Sequence, residues 1–242
     1  MPEKYIVSQH YFHPEIGEIA IRVQHNSTRA IARWKGNILK ISLPPRVTAE
    51  MFHRYLEDLK PKVLAAKPKA RYADGSLLEF EDFSIAISHN SLVEKGYVST
   101  RHKGKNEFAI DVAADLDFEN PNVEKLIIKH ILRIAKFMGQ TRLPGIAEDV
   151  LRSIGISPMP EIAVSYGLSR LGYCSARRKI ALSYAIMFLP AELRRLIICH
   201  EAAHLTEMNH SKDFHNLVDQ YLNGREKDLE HRLKHFPWPV PR

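Results

Sequence analysis

The chain has 242 residues, of which 45% are hydrophobic and 26% charged, and its formal net charge is +7. This is the composition of an ordinary globular protein, and it excludes a disordered, collagen-like or membrane-embedded chain. The positive charge allows association with nucleic acid, but the basic residues are scattered along the sequence without interleaved aromatics, which is typical of a solvated surface.

The N-terminus and the cysteines indicate a cytoplasmic protein. The first residues carry charges and no long apolar run, so we expect no secretory signal. The longest nearly apolar stretch, residues 180–189, is too short to cross a bilayer, so we expect no membrane contact. Cys174 and Cys199 are too few for a disulfide framework, and we expect both to be reduced thiols in the core.

The first half of the chain is predicted to be mostly β. Apolar and polar residues alternate in ways that predict strands at 17–25, 29–34, 38–44, 77–88, 92–100 and 107–113. Residues 35–37 should form the turn between the second and third of these strands. Thr48 is a good N-cap for one helix, which Pro61 should break or kink. No internal repeat is apparent.

The second half is predicted to combine helices with short strands. After Asn120 the apolar spacing becomes helical, which predicts a helix over 123–139 that ends at Gly139 and another that Pro144 opens. Short strands are expected at 160–166, 169–174 and 179–184, followed by helices after Pro190, at 211–222 and at 225–235.

These elements predict an α+β fold. A β-rich N-terminal region with one helix covers residues 1–116, and a region of helices and short strands covers residues 117–242. Nothing in the sequence requires the two regions to fold separately, so we expect either two domains or one continuous domain.

The stretch CHEAAHLTEMNHSKDFH, residues 199–215, has the spacing of a metal site. His200 and His204 are four residues apart on a predicted helix, so both imidazoles project from one face and can share one zinc ion. Glu201 lies about 100° further round the helix, where a carboxylate need not bind the metal and can deprotonate a water that the metal polarises.

A catalytic zinc needs a third protein ligand and an open position for water. His210 is the candidate, but a continued helix would place it about 9 Å beyond His204 along the axis. The helix should therefore stop after about Glu207. Asn209 tolerates a left-handed turn, and Ser211 can cap the next helix. We predict one Zn²⁺ per chain, bound by the three histidines.

The segment HEAAHLTEMNHSKDF, which contains these residues, resembles the signature of the YgjP-like metallopeptidases, in which a zincin HExxH helix precedes an Asn-His-Ser motif. Residues 170–190 are similar to the upstream segment of that family, and they keep Arg170, Gly172, Cys174, Ser175 and Pro190. They depart from it at Leu171 and Tyr173, where the family usually has Trp and Ser. His215 stands where the family commonly has Trp.

The resemblance implies a zincin-like core with a short sheet and a zinc-dependent peptidase activity on polypeptide substrates. It assigns His200, His204 and His210 as ligands and Glu201 as general base. It also implies a relation to SprT-like proteases, some of which act on DNA-bound proteins. The departures at Leu171 and Tyr173 concern substrate preference.

In this mechanism Glu201 takes a proton from water, and the hydroxide attacks a peptide carbonyl. The strand at 170–174 can pair with an extended substrate. Tyr173 or Tyr184 could donate a hydrogen bond to the oxyanion, although packing roles are commoner for both. Two alternatives stay open: a zinc-dependent nucleic-acid hydrolase, which Glu201 argues against, and a non-catalytic zinc module. The latter needs a fourth ligand such as Glu207 or His215.

Overall fold

The structure is a computed structural model, and it describes residues 5–35, 38–67 and 70–241. In this part of the chain, eleven strands and five α-helices form an α+β fold, as predicted. Two compact units divide the chain, namely Met1–Arg71 with Glu119–Pro121 and Tyr72–Phe118 with Asn122–Arg242. Residues 72–116, which we placed in the N-terminal region, are part of the second unit, and the domain boundary at 116 stays a prediction.

The first unit contains a four-stranded sheet covered on one face by a helix. Its strands are β1 (Gln9–His13), β2 (Gly17–Val23), β3 (Ile31–Lys35) and β4 (Ile38–Leu43), in the spatial order β1-β2-β4-β3. The central strands β2 and β4 are parallel, and the two outer pairs are antiparallel. Since apolar residues alternate along the strands, one face is buried under the helix α1 (Ala49–Ala65). The core includes Ile19, Ile21, Leu39, Ile41, Phe52 and Leu56.

Helix α1 is capped as predicted, but Pro61 does not break it. The Met51 N–H donates to Thr48 Oγ1 at 3.3 Å. The helix runs through Pro61 to Ala65, so of the two predicted outcomes the break was wrong, and the proline costs the helix one backbone hydrogen bond. Residues 36 and 37 of the predicted turn lie outside the described residues.

The second unit begins with another four-stranded sheet of the same topology. Its strands are β5 (Ser76–Glu79), β6 (Ser84–His89), β7 (Val98–Gly104) and β8 (Glu107–Val112), in the order β5-β6-β8-β7. Its central pair is parallel and its outer pairs are antiparallel, as in the first sheet. The predicted strand 77–88 is thus two strands. Ile-Ala-Ile triplets at 19–21 and 85–87 occupy equivalent central strands, a structural repeat that the sequence analysis missed.

The next element is one long helix, α2 (Pro121–Ser153), where two helices were predicted. Gly139 does not end this helix. It is buried, and a Cβ there would lie 2.7 Å from Cβ of Tyr184, so the glycine permits a close approach to that residue. Pro144 also lies inside the helix, at the cost of one backbone hydrogen bond.

The rest of the second unit builds the scaffold of the histidine-rich segment. It contains β9 (Glu161–Ser165), β10 (Gly172–Ser175) and β11 (Lys179–Ser183), then a 3₁₀-helix (Tyr184–Phe188), α3 (Ala191–Ala203), α4 (Lys212–Tyr221) and α5 (Glu226–Lys234). In the order β10-β11-β9, the strand β10 is an edge strand. Both predicted C-terminal helices are confirmed. Within the described ranges we find no helix whose length and apolar content would let it span a bilayer.

The role of Gly139 yields a paired test of helix α2. Gly139→Ala should destabilise the protein by about 1–3 kcal/mol, because the new methyl group clashes with Tyr184. Gly145→Ala in the same helix meets nothing within 4 Å, so it should stabilise the fold by about 0.5–1 kcal/mol through helix propensity. Denaturant unfolding of both variants measures the difference. Equal stabilisation by both would contradict the packing role.

Candidate metal centre

The helix that carries the first two histidines ends abruptly and the chain turns back. Helix α3 ends at Ala203, four residues earlier than the predicted stop. The N–H groups of Thr206 and Glu207 both donate to the carbonyl of Ala203, which closes the last turn. The Phe214 N–H donates to Ser211 Oγ at 3.2 Å, confirming the predicted cap of α4. Asn209 does not have a positive φ, so the predicted left-handed turn was wrong.

This reversal brings three imidazoles together. One nitrogen from each of His200, His204 and His210 lies within 4.8 Å of the other two, and Nε2 of His200 is 3.1 Å from Nε2 of His210. Zinc binds imidazole nitrogens at about 2.0–2.1 Å, which separates tetrahedral ligands by roughly 3.3 Å. The donor set and its spacing therefore fit a single ion.

Two local effects prepare the imidazoles as ligands. The Nδ1–H of His204 donates to the carbonyl of Glu207 at 3.0 Å, which leaves Nε2 as the unprotonated nitrogen. Burial is the main cause that lowers the pKa of His200 to about 4, and the neighbouring His204 and His210 contribute to the same shift. A neutral imidazole is the form that binds a metal, so His200 is in that form near neutral pH.

Phe214 was missed by the sequence analysis, yet it contacts the whole cluster. Its buried ring lies 4.9 Å from the ring of His200, 4.5 Å from His204 and 4.7 Å from His210, centroid to centroid. It occupies the first turn of α4, four residues after His210. The sequence did contain a signal for this contact, namely an apolar residue three positions after the Ser211 cap. We expect an apolar residue in that first turn to pack toward the preceding helix.

Glu201 lines the same hollow as the three histidines. Its side chain is buried, and this burial raises the pKa of its carboxyl to about 7, against the opposing effects of the Arg170 charge and a hydrogen bond from the Cys174 backbone. A Cβ on Gly172 would lie 2.7 Å from Glu201 Oε1. Only a glycine at 172 therefore lets the edge strand β10 lie directly against the carboxylate.

Two hollows meet at His200 and Glu201 and form one cleft. The first, of about 540 Å³, has a mixed lining, with Leu196, Leu233 and Trp238 beside the charged residues Glu230 and Lys234. The second, of about 360 Å³, is lined by Tyr173, Cys174, Met208 and the other two histidines. Both hollows are bordered by Arg170 and Gly172. The start of β10 and the residues just before it therefore lie where the two hollows meet.

The two tyrosines considered for the oxyanion lie in different places. Tyr173 borders the cleft, with the Arg170 guanidinium 5.6 Å from its ring centroid. Tyr184 is 2% exposed and packs under Gly139, as a core residue. Cys199 is also in the core, and burial raises the pKa of its thiol to about 11. Cys174 is half-buried at the cleft.

Neither residue considered as a fourth ligand belongs to the cluster of potential ligand atoms, which His200, His204 and His210 form. His215 Nδ1 instead lies 2.8 Å from Glu226 Oε1. Among the described residues, the group that could hold an ion consists of the three histidines. Three protein ligands would leave the fourth position of a tetrahedral ion open.

Comparisons with known proteins agree with this geometry. A protein-family model described as "YgjP-like, metallopeptidase domain" matches residues 28–236. The metallopeptidase zymogen of Pyrococcus abyssi, abylysin, is 23% identical, with a TM-score of 0.34 over 37% of this chain and 90% of its own. The zymogen of Methanocaldococcus jannaschii, jannalysin, is also 23% identical, with a TM-score of 0.34 over 38% of this chain and 92% of its own. No curated protein sequence matches the chain.

The contact between Gly172 and Glu201 can be measured by a double-mutant cycle. Gly172→Ala should cost about 1–3 kcal/mol of folding free energy, because the methyl group overlaps the carboxylate. In a Glu201→Ala background the same substitution should cost much less, since the overlapping atoms are absent. Gly167→Ala, which meets nothing within 4 Å, is the matched control. Equal costs in both backgrounds would contradict the contact.

Proposed function

The chain belongs to the YgjP-like metallopeptidase family, and we propose that it hydrolyses peptide bonds with one Zn²⁺ held by His200, His204 and His210. Glu201 is the general base in this proposal. One observation carries it: three convergent imidazoles and a buried carboxylate line the same part of a cleft that runs along an edge strand. The family match supports a metallopeptidase, and the choice of zinc rests on the three nitrogen donors.

Each part of the site has a separate chemical task. Zinc bound to three imidazoles supplies Lewis acidity, which lowers the pKa of a bound water to about 7 and polarises a carbonyl oxygen. The Glu201 carboxylate accepts the proton of the attacking water and later donates it to the leaving amine. Burial of Glu201 supports this role, because a carboxyl with a pKa near 7 can both accept and donate a proton at neutral pH.

The backbone of β10 supports binding of an extended polypeptide. The Ser183 N–H donates to the Leu171 carbonyl at 2.8 Å, so residues 171 and 173 direct their backbone groups toward β11. The backbone groups of Gly172 and Cys174 then point away from β11; the Cys174 N–H donates to Glu201, which leaves the Gly172 groups and the Cys174 carbonyl for a substrate. A substrate strand can pair with this edge of β10, and its side chains can enter the hollow that Leu233 and Trp238 line.

The remaining expectations stay predictions. A cytoplasmic location rests on the sequence alone. The family match favours a peptidase over a nucleic-acid hydrolase, and a structural zinc site lacks a fourth ligand among the described residues.

Metal content tests the ligand assignment. Wild-type protein should contain one zinc per chain, and His210→Ala should lose it or bind it at least tenfold more weakly, because three ligands become two. His215→Ala is the control, since this nearby histidine pairs with Glu226. Inductively coupled plasma mass spectrometry after gel filtration gives the stoichiometry. Full zinc content in His210→Ala would contradict the assignment.

Substitution of the proposed base separates catalysis from metal binding. Glu201→Gln should retain zinc and lower the turnover of a fluorescence-quenched peptide library by about 10²–10⁴-fold, because the amide cannot accept the proton. Glu207→Gln, which keeps the backbone carbonyl that His204 uses, should retain near-normal turnover. Full activity of Glu201→Gln would exclude the mechanism. RNA cleavage without peptidase activity in the wild type would favour the nucleic-acid hydrolase.

A further inference from the structure

The outer face of the first sheet carries unpaired positive charge. Strand register places residues of β3, β4, β2 and β1 on this face, opposite the face that packs on α1. Its residues include Arg22, Arg33, Lys35 and Lys40, all exposed. Among the described residues, none of these four cations lies within ion-pair distance of a carboxylate. The acidic residue of this face, Glu18, is 3.5 Å from His10 Nδ1.

The net charge of the whole chain is confined to the segment that contains this sheet. Residues 1–71 include 13 lysines and arginines but only 6 aspartates and glutamates, a difference of +7. Residues 72–242 include 22 of each and are therefore neutral. The basic character noted from the composition is thus a property of the N-terminal segment.

The second sheet provides an internal comparison, because the two sheets have the same strand order. Register aligns Lys40 with Ala109 and Ser42 with Asp111, and it aligns Arg22 with Ser88. On the second sheet, Asp111 binds the guanidinium of Arg101 through two hydrogen bonds of 2.9 and 3.0 Å. In the first sheet, Arg33 occupies the position of Arg101. Ser42 stands in place of Asp111, so the acidic partner is absent, and Lys40 and Arg22 are additional cations.

This arrangement is unfavourable for the sheet by itself. Arg33 and Lys40 are direct cross-strand partners, and like charges at such positions repel. An anion bound over the face would remove the repulsion. The absence of the second sheet's aspartate therefore favours a ligand over a structural role for these side chains.

A hollow and an aromatic ring on the same face indicate the kind of anion. The hollow, of about 420 Å³, is lined by His10, Ala20, Arg22, Lys40 and Ser42 among others. Phe12 is 75% exposed and follows His10 by two residues on β1, so it lies on the same face, beyond the hollow and opposite Glu18. Cations that bind phosphates, on one face with an open aromatic ring on which a base can stack, are the features of single-strand binding surfaces.

We propose that the outer face of the first sheet binds single-stranded nucleic acid through Arg22, Arg33, Lys40 and Phe12. This activity is additional to peptide hydrolysis and does not depend on the metal centre. An acidic polypeptide would use the cations but would not need the exposed ring, so nucleic acid is the ligand that accounts for both features.

The test replaces residues of the first sheet by their counterparts in the second. Fluorescence anisotropy measures binding of a labelled 20-nucleotide thymidylate strand to the full chain. Lys40→Ala with Ser42→Asp should weaken binding at least tenfold at about 50 mM salt, because a cation is lost and the new aspartate pairs with Arg33. Phe12→Ala should weaken it about fivefold or more through lost stacking. The salt dependence should also become shallower in the double variant.

A matched control makes the same chemical changes elsewhere. Lys95→Ala with Ser91→Asp lies in an exposed loop of the second unit and alters the net charge equally, so binding should change less than twofold. Arg22→Ser is a second variant should the aspartate disturb folding, which thermal unfolding monitors. No binding by the wild type, or an equal loss in the control, would overturn the proposal. Stronger displacement by polyglutamate than by unlabelled oligonucleotide would assign the face to an acidic polypeptide instead.

Discussion

The reversal of the chain between Ala203 and Ser211 is the constraint on which the candidate centre depends. Helical spacing alone aligns His200 with His204, but it would carry His210 away from them. The turn bonds to the Ala203 carbonyl and the Ser211 cap redirect the chain, and Phe214 gives the three rings a common surface. These contacts therefore set the spacing of the three imidazoles.

A second constraint connects this helix to the substrate side of the cleft. Glu201 and the edge strand β10 lie so close that residue 172 has no room for a side chain. The proposed base is thereby fixed relative to the backbone groups that would hold a polypeptide. Burial from the same contact raises the pKa of the carboxyl, so one packing feature affects both position and proton affinity.

The sequence predicted features that depend on local signals. The HExxH spacing, the Thr48 and Ser211 caps and most strands could be read from neighbouring residues. Features that depend on distant contacts could not. Gly139 resembles a helix stop, but it serves a close approach to Tyr184, and nothing near Gly172 in the sequence points to Glu201. In each case the glycine is needed by a partner more than 25 residues away along the chain.

The repeated sheets show why scattered charges in a sequence can be misread. The inner faces of both sheets are apolar because each packs on a hydrophobic core. The two sheets also share one strand order. Outer faces have no such requirement, and there the two sheets differ in charge. Three separate strands carry Arg22, Arg33 and Lys40, and each residue taken alone is typical of a solvated surface. The strand register places all three on one face. The amino-acid sequence does not show which strands pair. Strand pairing is therefore needed to tell the proposed binding face from an ordinary solvated one.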